Sequence, residues 1–374
     1  MKTLAVLVAL LWTTLAQAQT CATPAQLATD LGNATQSDVI SLSGVNPLNC
    51  PEIGMTQTWA GGHLVFSDSP ESPTAKAKLY ADLTLAATSG TNYNRVFVYH
   101  VNNSGATKRF TVVIKNTGSA AGTLTVQQGG TAGPTTSFLY AGKLAFQRWL
   151  NAIAGSGVSV AAGGYQRLDT TFDTTNVTNG NLLHGIWDYS FTQSHEVHIC
   201  MLNTGDSPTS VCPGLAVAAR DSHVRGTFPN ADKVYDFAGT IDTTAGIQQF
   251  PLAGGTTNDT NAVGTDATDG STQTLTGNFG IKYRMHFSVQ TTDGKSFGFL
   301  FNPRGGQWGG AVKTLAGITV GGVFLVPATS GSTGDNTKGA VEGKYAPGTT
   351  PSPWCQFMPT GGSSFPLRFI AVPY

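Results

Sequence analysis

The sequence is poor in charge. Only 11% of its 374 residues are Asp, Glu, Lys or Arg, and 21 basic side chains balance 21 acidic ones. A chain this neutral has no field to gather nucleic acid or anionic lipid, so neither is an expected partner. Long apolar runs are missing beyond the N-terminus. The best later candidates, Ala316 to Pro327 and Leu367 to Tyr374, are too short to span a bilayer as a helix. Cysteine is scarce, with five residues and no C-x-x-C pair, which argues against a thiolate zinc site. The zinc signature H-E-x-x-H is absent. Glycine is abundant, at 46 residues, but follows no fixed period, so a collagen repeat is excluded.

The N-terminus reads as a signal peptide over 1–18. Lys2 is the charged start, Leu4 to Leu15 the short apolar core, and Leu15-Ala16-Gln17-Ala18 ends in a small-x-small cleavage pattern. Thr20 stands where a lipid-anchor site at Cys21 would carry a smaller residue, so a released product is expected: secreted, extracellular or held at a cell surface by protein contacts. Export permits disulfides. Cys21 with Cys50 and Cys200 with Cys212 are the natural pairs, leaving Cys355, although spacing alone does not fix the pairing.

Short apolar runs cut by Gly, Thr, Ser and Asn predict an all-β fold of two β-sandwich-like antiparallel domains with an amphipathic helix between or beside them. The strongest strand is Arg95 to Val101. Val96, Val98 and His100 share one face and Phe97, Tyr99 and Val101 the other, so both faces are apolar and the strand should be central. Asn102-Asn103-Ser104-Gly105 turns it into the next strand, Arg109 to Lys115. Phe138 to Ile153 has helical periodicity, with Lys143, Gln147 and Arg148 between its apolar residues. The expected order is an N-terminal cap over 19–60, a first sandwich over 61–137, the helix over 138–155, and a second β domain over 156–374. Within the last, 252–273 reads as a long polar surface loop.

Chemistry-bearing residues are few. His195-Glu196-Val197-His198 lies in a strand pattern, which sends His195 and His198 to opposite faces. Glu196 and His198 share a face and, with His184 or His223, form a candidate zinc site. Ordinary strand histidines are the simpler reading. His100 should be buried and bonded to Asn102 or a turn residue. Asp82, Asp188, Glu196 and Asp236 offer the paired carboxylates of a glycosidase, as would many secreted chains of this length. Asp259, Asp266 and Asp269 match no EF-hand spacing and read as solvated loop acids. No cofactor is expected, with a structural Ca or Zn as the alternative. In Asn302-Pro303-Arg304-Gly305-Gly306-Gln307-Trp308-Gly309-Gly310, glycines permit close backbone approach. Arg304 and Trp308 are read as packing that loop or contacting a ligand, and Trp308, Trp354 and Tyr345 also offer aromatic faces for a sugar ring; packing is the favoured reading. Asn33, Asn102, Asn176 and Asn258 head glycosylation sequons.

The pieces VFSDSPE, LYAD, NRVFVYHVNN, FTVVIKN and GTAGPTTSFLYAGKLA are followed later by GNFGIKYR, FNPRGGQWGGAV and MPTGGSSFPLRF. Together they resemble a module of exported bacterial proteins of unassigned function, some of which also carry copper-amine-oxidase-like domains. The resemblance spans roughly residues 60–374. It implies an extracellular, surface-associated role and supplies no catalytic residues. Asn92-Tyr93-Asn94 lacks the final acid of the oxidase cofactor precursor. The resulting expectation is a secreted, non-catalytic structural or adhesive protein that contacts itself, other surface proteins or glycans, with filament assembly as its sharper form. A carbohydrate-binding protein is the second reading and a secreted hydrolase the third.

Overall fold

The computed structural model describes residues 21–89, 92–314, 322–348 and 354–374. The expected signal peptide over 1–18 lies outside the described residues. The described strands form four sheets, of eight, four, six and five strands, and the fold is all-β with short helices.

The strand Asn94–Val101 is buried along its whole length. It sits inside the eight-stranded sheet, between Leu64–Ser67 and Leu182–Phe191. Val96 and Val98 pack toward the four-stranded sheet, in one core with Phe110, Val112, Trp187 and Ile199. Phe97, Tyr99 and Val101 face a second, larger core shared with the helix Phe138–Asn151 and the six- and five-stranded sheets. One strand therefore serves two cores, as the alternation of its sequence requires. The eight-stranded sheet is the middle layer of the molecule.

Hydrogen bonding does not divide the chain at the helix. Leu182–Phe191, beyond the helix, pairs with both Asn94–Val101 and Gly122–Thr135, and His195–Asn203 pairs with Lys108–Asn116. The boundary expected at 156 is corrected accordingly, because the partners of the most buried strands come from both sides of the helix. The cap region also joins later sheets: Thr56–Ala60 pairs with Asp232–Asp242, and Val39–Ser41 with Lys338–Tyr345. The helix Ala25–Asn33 buries Leu27 and Leu31 against Leu300, Val341 and Ile370. Disulfides form between Cys21 and Cys50 and between Cys200 and Cys212, and Cys355 is a buried free thiol.

The helix Phe138–Asn151 packs between the middle sheet and the six-stranded sheet. Two glycines allow this. A Cβ on Gly130 would meet the Ala145 carbonyl oxygen at 2.1 Å, and one on Gly142 would meet the Gly361 carbonyl oxygen at 2.1 Å. Lys143, expected on the polar stripe, is fully buried. Its ammonium donates to the carbonyls of Pro327, Thr329 and Gly331 at 2.7, 2.7 and 3.1 Å. Three acceptors match three donors. Lys143→Met will strand those carbonyls and should lower the unfolding free energy in urea by about 2–3 kcal/mol.

The segment 252–273 is not a solvated loop. It contains the strand Ala262–Thr265, which forms a hairpin with Thr272–Leu275 and extends the middle sheet. Asp259 and Asp266 are fully buried rather than loop acids in water, because each meets a buried cation, Lys233 and Arg225 respectively. Asn102 is buried too, its amide nitrogen donating to the carbonyls of Ala106 and Val177, which leaves it no room to carry a glycan.

Candidate functional site

One accessible recess among the described residues, of about 230 Å³, is lined by Trp59, Pro229, Asn230, Thr260, Asn261, Ala262 and Val263. Trp59 comes from Thr56–Ala60, the edge strand of the six-stranded sheet. Its antiparallel register partner is Lys233, which brings the Lys233 Nζ to 4.5 Å from the Trp59 ring centre. The opposite wall is the start of the strand Ala262–Thr265. Trp59 is half-buried and Val263 is 54% exposed, so an aromatic and an aliphatic side chain both reach solvent here. Asn230, Thr260 and Asn261 add amide and hydroxyl groups, and the buried Asn261 Oδ1 has no hydrogen-bond partner among the described residues.

A dry polar network forms the floor behind this recess. Lys233 Nζ lies 2.5 Å from Asp259 Oδ1 and also donates to the Thr260 carbonyl. Tyr235 donates to Asp259 Oδ1 at 2.6 Å, and Tyr283 lies 3.0 and 3.1 Å from its two oxygens. Burial pulls the Lys233 amine below the usual lysine range, an effect its pairing with Asp259 opposes.

The ligand contacts expected from sequence are not gathered into one site. Trp308 is 1% exposed and packs on Phe301 with ring centres 5.1 Å apart, so it fills the core and presents no face to a sugar. Tyr345 is buried as well. Trp354 is half-buried, edge-on to His286. Arg304 lines a different recess, of about 220 Å³, with Leu42, Gly44, Val45, Asn46, Asn336 and Thr337. The glycine loop works as packing: a Cβ on Gly305 would sit 1.9 Å from the Phe365 carbonyl oxygen. Trp59 was missed because it stands in a short strand with little periodicity, and only the pairing with 232–242 reveals its recess.

The proposed zinc ligands are likewise separated. His195 packs edge-on against Tyr189 and Phe191, and Tyr189 bonds its Nε2 at 2.8 Å. His198 points to the opposite face of its strand, where Nε2 meets Glu196 at 2.8 Å. His184 belongs to the middle sheet and faces Phe97 and Tyr99, with its Nδ1 on the Val98 carbonyl at 2.7 Å. His223 reaches Glu71 and Asp221 instead. Among the described residues no group of three or more His, Cys, Asp or Glu side chains is placed to hold a metal ion. Burial pushes the His100, His184 and His195 imidazoles down to about 4, so all three are neutral at pH 7.

His100 meets the expectation of a turn-residue partner, with Nδ1 on the Pro70 carbonyl at 2.8 Å. Its Nε2 contacts Ser67 Oγ at 2.9 Å. That is the spacing of a nucleophile and its base, but a carbonyl stands where a triad has a carboxylate, and Ser67 and His100 are both 0% exposed. The glycosidase candidates are dispersed too. Asp188 is buried against Arg95, whereas Asp236 is at the surface with His286.

No family model matches this sequence, and no curated protein does. Among solved structures, the CUB1-EGF-CUB2 domain of human MASP-1/3 overlays with a TM-score of 0.19 at 8% identity, covering 79% of this chain and 99% of that one. A single-residue variant of the oxalate decarboxylase of B. subtilis overlays with a TM-score of 0.12 at 11% identity, covering 87% of this chain and 80% of that one. Overlays this poor carry neither a fold nor a function to this chain.

Proposed function

We propose that this chain is an extracellular, non-catalytic structural or adhesive protein, and that its Trp59 recess holds a sugar ring of a glycan. The observation that carries the reading is the contrast between the recess and the interior. His100, His184, His195 and His198, the Ser67–His100 contact, and Asp188, Asp232, Asp259 and Asp266 are buried and bonded to the protein itself. The accessible recess instead combines an indole face with amides and a hydroxyl, the mixture that suits a sugar's apolar face and hydroxyl rim. Two disulfides support an oxidising compartment.

Filament assembly by donation of the C-terminal strand is less favoured. Leu367–Pro373 is already paired on both sides, with Phe297–Pro303 and Gln248–Leu252. Any self-association would run through edge strands such as Thr56–Ala60 or Val39–Ser41.

A glycan array followed by calorimetry on the best hit tests the reading. Trp59→Ala should weaken binding by roughly tenfold or more, the scale for truncating an aromatic anchor, with the thermal transition retained. Wild-type protein that binds no glycan on the array would remove the recess as a sugar site.

A further inference from the structure

The Lys233–Asp259 pair differs from the buried cluster around Arg95. Where Arg95, Lys282, Asp188 and Asp232 meet, two cations and two anions share one pocket, and Lys282 lies 2.8 Å from Asp232. Lys233 and Asp259 instead face each other as one cation and one anion. Both are 0% exposed, and Lys233 Nζ lies 2.5 Å from Asp259 Oδ1. Around them stand the rings of Trp59, Tyr235 and Tyr283. Keeping two charges in so dry a place is costly, and a reaction that removes both is correspondingly favoured. The two groups are also held in contact by the fold, which replaces a bimolecular encounter with an intramolecular one.

We propose that Lys233 and Asp259 join in an intramolecular amide, an isopeptide bond, in the mature protein. The step is a condensation and needs no oxidant or reductant. A proton passes from Lys233 Nζ to Asp259 Oδ1 across their short contact, giving an amine and a carboxylic acid. The Nζ lone pair then adds to the Asp259 carboxyl carbon. Tyr283, 3.1 Å from Oδ2, donates to the oxygen that becomes negative and then remains as the amide oxygen. Tyr235, 2.6 Å from Oδ1, relays a second Nζ proton to that oxygen. The carbon–Oδ1 bond breaks and one water leaves. The ammonium and carboxylate have become a neutral amide plus water, so atoms and charge balance. The adjoining recess, lined in part by Thr260, gives the water a way out.

The placement gives the bond a purpose. Lys233 lies in Asp232–Asp242 of the six-stranded sheet, and Asp259 lies just before Ala262–Thr265 of the eight-stranded sheet. An amide between them would close a loop of sequence separation 26 and tie the two sheets covalently. A protein loaded mechanically at a surface gains from such a tie. The inference does not depend on what the Trp59 recess binds.

Intact mass spectrometry of the fully reduced, denatured wild-type chain tests it, and proteolysis then locates the change. The expected result is a mass one water below that of the mature sequence, with a branched peptide joining the Lys233 and Asp259 fragments. Lys233→Arg and Asp259→Ala should each have their full calculated mass. Asp259→Asn should still close, losing ammonia in place of water, and reach the wild-type mass. A wild-type chain of full calculated mass overturns the proposal without reference to any variant, and so does a water loss that persists in Lys233→Arg.

Discussion

Replacing Arg95 with methionine should lower the unfolding free energy by about 3–5 kcal/mol, the usual cost of leaving a buried charge without its partner. Arg95 is wholly buried in the middle sheet. Its guanidinium donates to both Asp188 oxygens at 2.7 and 2.9 Å, and to the carbonyls of Ala231 and Gly280 at 2.6 and 3.0 Å. It also lies 3.1 Å from Asp232 and 4.9 Å from the centre of the Trp149 ring. These partners come from the middle sheet, the six-stranded sheet and the helix, so one side chain ties three layers together. Asp232 keeps Lys282 and Tyr93 when Arg95 is lost. Asp188 has no such reserve.

That difference gives the prediction a pH signature. Burial pushes the Asp188 carboxyl above its ordinary range even with Arg95 beside it. Without Arg95 the folded protein must hold Asp188 protonated, while the unfolded chain ionises it near the ordinary value. The variant therefore loses stability as pH rises from that value toward the raised folded one. Urea unfolding of both proteins should show a narrower gap at pH 4 than at pH 7. A gap that is small and equal at both would show that Asp188 finds another partner.

What sequence could show about this molecule was the local part. Alternation along 95–101 marked a strand with two apolar faces, and the structure places a core on each. The same period-two rule put His195 and His198 on opposite sides, and they are. Cysteine spacing suggested both bridges. What sequence could not show was anything set by distant pairing. Lys143 sits at a polar-looking helix position, but the carbonyls that bury it arrive from 327–331. Asp259 and Asp266 lie in the most polar stretch of the chain, and only the approach of Lys233 and Arg225 draws them inside. Trp308, readable from sequence either as packing or as a ligand contact, fills the core against Phe301, which only the distant strand pairing decides. The site was therefore less legible than the fold, because a strand's faces follow from its own residues whereas exposure depends on what covers them.

Glu342 gives the other large effect. It lies in the strand Lys338–Tyr345, 1% exposed, and neither carboxyl oxygen has a hydrogen-bond partner among the described residues. Burial pushes its pKa up to about 8. Its titrating neighbours, the Tyr345 phenol and the Cys355 thiol, are themselves pushed up by burial and by Glu342, so they bring no positive charge. The folded protein thus retains a proton on Glu342 that the unfolded chain has released. Between the ordinary carboxylate value and about 8 the unfolded state binds fewer protons, so stability falls as pH rises through this window and levels off above it. The slope approaches about 1.4 kcal/mol per pH unit. Asp173, pushed up to about 7 by burial, adds to the same trend, so the wild-type curve alone does not isolate Glu342. Glu342→Gln does. It keeps the shape and removes the titration, and the variant should match wild type near pH 4.5 and exceed it by about 3–5 kcal/mol at pH 8.5. Urea unfolding across that range measures the difference directly. A gap that stays constant with pH would mean that Glu342 ionises in the folded state as freely as in the unfolded one, and that a cation or water reaches its carboxylate inside the second core.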